Sequence, residues 1–154
     1  MPRTFDCPKC GAPVSYSSNA IGPDLRTIKG AISSASGDSE LQTRVAVDGL
    51  GNIYALGTFN SAVFKFGPEG KFLNRFGGRG DQPGQFHAPS AIAVDGRGRV
   101  YVSDIKGIQI FDTDGRYINV LKTDGPASGM VFNDRNELFV AARTHVIKLS
   151  SLKD

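Results

Sequence analysis

A pattern that returns three times limits what this chain can become more than anything else in it. "RVAVDGLGNIYALG" (44–57) matches "AIAVDGRGRVYVSD" (91–104), and "MVFNDRNELFVAA" (130–142) matches both more loosely. Each copy is an apolar run, an Asp or Asn turn, and a second run carrying an aromatic residue: Tyr54, Tyr101 or Phe139. Asp-Gly between β-forming residues is a strong hairpin signal, so each copy reads as two antiparallel strands. A third strand follows each hairpin, in "SAVFKFGPEG" (61–70), "GIQIFDTDG" (107–115) and "HVIKLSS" (145–151). A fourth follows the first two, in "KFLNRFG" (71–77) and "RYINVLK" (116–122). Asp48 to Asp95 is 47 residues and Asp95 to Asn133 is 38, so the unit is about 40 residues and four strands, the size of a β-propeller blade. One such sheet alone leaves an apolar face in water, so the units must stack.

The rest of the composition agrees with a turn-rich β protein. The 154 residues suffice for one real core, and 19 Gly, 10 Phe and no Trp accompany 40% hydrophobic and 21% charged residues. The net charge of +3 comes from residues 71–122, with eight Lys or Arg against five acids. That is a weak basic face, read either as solvated surface or as a site for an acidic or nucleic-acid partner. No apolar stretch reaches membrane-spanning length, and "MPRTFDCPKC" lacks a signal-peptide core. The expectation is no membrane insertion and a cytoplasmic location.

"FGGRGDQPGQFHAPSAIAVDGRGRVYVSDIKGIQIFDTDGRYINVL" (76–121) resembles an NHL repeat: a Gly-rich loop, then "GQFHAPSAIAVD", "RVYVSD" and "IQIFDTDG" in order. The resemblance spans about residues 24–150 and implies an all-β propeller of four-stranded blades, usually six to a ring. With strands lettered a to d, the third repeat has a, b and c but no d. Ahead of the first, "GPDLRTIKG" (22–30) resembles the fourth strands, with Leu25 and Ile28 alternating. The segment reads as a displaced strand d; the alternative is a linker, since "ISSASGDSELQ" (32–42) has linker composition. The domains are then an extension over 1–21 and three blades over 22–154, with 22–44 as displaced strand and loop. Three blades do not close well. Two copies make six, so the chain is expected to form a homodimer by strand exchange, each N-terminal strand completing the partner's third blade. The alternative is a fragment of a longer propeller.

In such a fold the d–a and b–c loops share one face. They gather Phe59, Asn60, Arg79, Asp81, His87, Asp104, Lys106, Arg143 and His145 there. This is the candidate binding face. A protein partner is the first reading, and basic groups beside an aromatic make RNA the second. Solvated loop residues are the plain alternative. "RGD" (79–81) lies inside the repeat's own loop and is discounted. NHL-type lyases hold a channel metal with several His, whereas this chain has His87 and His145 alone. Asp48, Asp95 and Asp104 read as turn residues capping their own backbone. The expectation is therefore a non-catalytic binding scaffold and not an enzyme, with the RNA module and the channel-metal lyase as alternatives.

"CPKCGAP" (7–13) has the form of one zinc knuckle, half of a zinc ribbon, and Cys7 and Cys10 are the only cysteines. Gly11 and Pro13 oppose the helix that a thioredoxin-like site needs. Three completions stay open: a remnant with free thiols and no cofactor, a disulfide between the two, or a zinc shared between chains.

Overall fold

The computed structural model describes residues 3–6, 13–16 and 43–150. A small antiparallel hairpin pairs β1 (Arg3–Asp6) with β2 (Pro13–Tyr16). Three antiparallel sheets follow, one for each repeat. The first holds β3 (Thr43–Val47), β4 (Ile53–Gly57), β5 (Ala62–Phe66) and β6 (Phe72–Gly77), in chain order. The second holds β7 (Ala91–Val94), β8 (Val100–Asp104), β9 (Gly107–Phe111) and β10 (Tyr117–Leu121). The third holds β11 (Ala127–Phe132), β12 (Leu138–Ala142) and β13 (His145–Leu149). The strand d expected at 22–30 and both cysteines lie outside the described residues.

The a–b hairpins form as the repeats predict, but the Asp-Gly pair is not where the chain reverses its handedness. In each, the Asp or Asn amide donates to a carbonyl four residues on, at Asn52, Arg99 or Glu137. Its own carbonyl accepts from Gly51, Gly98 or Asn136, and these three residues hold the positive φ of 85°, 81° and 61°. Gly suits that conformation, and Asn tolerates it better than most residues. The c–d turns at Gly67–Lys71 and Asp112–Arg116 close with the same two bonds.

Side chains alternate across each strand, so every blade has a forward face, towards the next blade in the chain, and a rear face. Tyr54, Leu56 and Val63 on the forward face of blade one meet Ile92, Val100, Val102 and Phe111 on the rear of blade two. Tyr101, Ile108 and Ile110 on its forward face meet Leu138, Val140 and Ala142 of blade three. Burying each large side chain is worth about 1.5–3 kcal/mol, so the spaces between blades are the core. The first strands β3, β7 and β11 lie side by side, the arrangement of inner strands in a propeller.

Candidate functional site

The connection from β6 to β7, residues 78–90, is the longest in the described blades, and its shape is fixed from below. Gly78 donates to the Ser61 carbonyl and Ile105 to the His87 carbonyl, tying the loop to the b–c turns of both flanking blades. Beneath it lies a buried polar cluster. The Asp104 carboxylate accepts from the amides of His87 (3.1 Å) and Lys106 (2.9 Å) and from the Gln109 Nε2 (3.1 Å). Gln109 Nε2 also donates to the Gln85 carbonyl at 2.7 Å, and its Oε1 accepts from the Gly84 amide at 2.9 Å. Above, the Lys106 ammonium donates to the carbonyls of Gly80 (3.2 Å), Gln82 (3.4 Å) and Gln85 (3.2 Å).

This network sorts the residues the sequence pointed to. Phe59, Arg79, Asp81, His87, Asp104 and Lys106 come together around the loop. Arg79 Nη2 donates to the Phe59 carbonyl at 3.3 Å, and the exposed His87 and Asp81 meet at 3.4 Å. Asn60, half-buried, sits beside Phe59 in the first b–c turn. Asp104 is buried, so its charge serves the loop and not the surface. Lys106 is occupied in the same way. Arg143 and His145 stand on the b–c turn of blade three, where Arg143 adopts a positive φ of 53° beside Gly125. His145 Nδ1 lies 3.3 Å from the Thr144 hydroxyl.

Two residues escaped the sequence reading. Gln109 is one; a polar side chain in the apolar run "IQIF" was the available signal. Ile105 is the other, an exposed apolar side chain at the tip of a b–c turn, as Phe59 is. Between blades one and two, on the opposite face, a cleft of about 530 Å³ opens beside Asp48, Lys65 and Thr113. There the Lys65 ammonium crosses to the Thr113 carbonyl at 2.7 Å and lies 5.4 Å above the Tyr54 ring. Among the described residues no three His, Cys, Asp or Glu side chains gather where they could hold a metal ion, and no helix is long and apolar enough to cross a membrane.

No protein-family profile matches the chain. It is similar to NHL repeat-containing protein 3 of Homo sapiens, 30% identical over 114 residues, which is 68% of this chain and 33% of that protein. The chain thus spans about a third of the length of this curated relative. A gluconolactonase from Xanthomonas campestris shares the fold at a TM-score of 0.56 and 23% identity, over 69% of this chain and 36% of its own. A streptogramin B lyase shares it at a TM-score of 0.51 and 13% identity, over 97% of this chain and 47% of its own. These similarities support an NHL-repeat, propeller-type family, with the solved structures speaking for the fold alone. They also correct one expectation. Propellers of this likeness include a gluconolactonase and a lyase, so the reading that this chain is not an enzyme does not stand.

Proposed function

We propose that the chain is a propeller scaffold, half of a six-bladed ring completed by a second copy, that recognises a protein through the face carrying the 78–90 loop. The observation that supports this is the composition of the face. Phe59 and Ile105 present apolar side chains to solvent, and the charged groups between them are held by the loop network. Apolar anchors inside a polar rim, on a backbone already ordered, are what a protein-recognition surface needs. An RNA backbone would need free cations. Lys106 is occupied by three carbonyls and Arg79 donates to the Phe59 carbonyl, so the face offers little uncommitted positive charge. Recognition here does not depend on whether the ring's channel also carries chemistry.

The test is the double substitution Phe59→Ser and Ile105→Ser. Both side chains are exposed, so the fold should hold. Proteins retained by the wild-type chain should be lost, with a weakening of about tenfold or more for each anchor. Retention of the same proteins by the double variant would remove this face from consideration. Binding of RNA that weakens steeply with salt would favour the nucleic-acid reading instead.

A further inference from the structure

The interface between blades two and three is closed at the point where the one between blades one and two is open. On the face opposite the 78–90 loop, the Gly96 amide of the second a–b turn donates to Asn136 Oδ1 of the third at 2.7 Å. In the same interface Ile110, fully buried, packs in one cluster with Tyr101, Leu138 and Val140. Asn136 and Gly98 hold the same turn position, each donating its amide to the carbonyl three residues back. Ile110 and Lys65 hold the same strand position, opposite Tyr101 and Tyr54. One blade earlier, both closures are therefore missing. Gly98 has no side chain to reach Gly49, the equivalent of Gly96, and a methyl built on Gly49 would meet nothing within 4 Å. An ammonium stands where the other interface has an isoleucine. Between these turns opens the cleft of about 530 Å³.

We propose that this cleft is a binding site for a small organic acid, whose carboxylate is held by the Lys65 ammonium and the Gly49 amide. Clefts of about 300–1,000 Å³ are the size that takes small molecules. Lys65 is positioned before any ligand arrives: its ammonium lies 5.4 Å from the Tyr54 ring centroid and donates to the Thr113 carbonyl at 2.7 Å. That bond uses one of the three donors an ammonium has. The acid in the wall is already committed, because Asp48 accepts from Leu50, Asn52 and Tyr54 within its own turn. Arg97, exposed on the wall from blade two, adds a second positive charge. A carboxylate gains most from such a place, since its bonds to a cation are charge-assisted and a backbone N–H gives them direction. The exposed Leu50, also on the wall, offers apolar surface to the carbon body of the acid. The site is separate from the 78–90 face and does not depend on how the ring closes.

The experiment titrates the full-length protein with succinate, citrate and inorganic phosphate, and follows the NMR signals of the Gly49, Gly96 and Gly98 amides. At least one of the two organic acids should shift these signals saturably, with a Kd of about 1 mM or tighter. Lys65→Met should weaken that binding by about tenfold or more. The variant should fold, because the equivalent Ile110 shows that the position accepts an apolar side chain. A second variant closes the cleft. Gly98→Asn copies the third turn, where Asn136 holds a φ of 61° against 81° at Gly98. It is combined with Thr113→Ser, because a Cβ at 98 would lie 2.8 Å from the Thr113 methyl. The pair should abolish binding, and Thr113→Ser alone should retain it; circular dichroism confirms that each variant folds. Shifts that do not saturate by about 10 mM for either organic acid overturn the site. So do shifts unchanged in Lys65→Met, or phosphate binding as tight as that of the acids.

Discussion

The turn between strands a and b shows how single residues change together. Asp48 Oδ1 accepts from the amides of Leu50 and Asn52, and its Oδ2 from Asn52 Nδ2 and the Tyr54 hydroxyl. Asp95 repeats this with Arg97, Arg99 and Tyr101, the Arg99 guanidinium lying 2.6 Å away. In the third copy Asn133 takes the acid's place, the residue four on is Glu137, and Phe139 stands in the tyrosine's place. Donor and acceptor have traded places, and the hydroxyl has gone with the carboxylate that received it. Burial pushes the Asp48 carboxyl up, but the bonds from Asn52, Leu50 and Tyr54 together hold it below its usual value of 3.8. Its contribution is therefore present above that pH and fades as pH falls below it. For Tyr101, burial and then the Asp95 charge push the phenol up from 10.0 to about 12, so its contribution is complete below pH 10 and is lost as pH rises towards 12. Tyr101→Phe, which imitates the third repeat, should cost about 1–2 kcal/mol at neutral pH and flatten the alkaline limb between those values. Urea titrations across pH measure both; an unchanged alkaline limb would place the titration elsewhere. The Asp turns were legible because an Asx turn needs only its own neighbours. The exchange at Asn133 was not, because nothing local says that Phe139 answers it.

At the scale of an element, the 78–90 loop is a rigid platform, and its rigidity comes from beneath. A tip that looks like an open glycine loop in sequence is clasped by Lys106 and Gln109 from the neighbouring turn and strand. Gln109→Leu would leave the Gly84 amide without its partner, strip one of two donors from the Gln85 carbonyl, which keeps Lys106, and one of three from Asp104, at a cost of about 2 kcal/mol. The expected signature is faster amide exchange over 78–90 with the strands of blade two still protected; protection unchanged across the loop would show that the clasp lies elsewhere. A second check is Gly107, with φ of 134°, where a methyl would run into the Leu121 carbonyl of the outer strand. The strands themselves were readable, since alternation and repetition both announced them. Asp104 was not placed correctly as a surface group, because a turn aspartate has the same sequence appearance whether its carboxylate faces water or folds inward. Only the loop above it decides.

For the whole molecule, the repeat count says more than any motif. The non-enzyme expectation rested on finding no local catalytic pattern. A propeller assembles what lies at its axis from separate blades, so a reading along one chain has no contiguous site to find. The same geometry makes the edges of the chain consequential. β13 is the last strand of the third sheet, with the outer position empty among the described residues, and an unpaired strand edge invites association. If Leu25 and Ile28 of one copy occupy that edge in the other, as the proposed half-ring has it, strand exchange supplies backbone hydrogen bonds to the outer side of β13. Deleting residues 1–30 removes the strand. The shortened chain should melt earlier and either dissociate or aggregate through the exposed edge. A clean dimer with an unchanged melting temperature would eliminate the exchange.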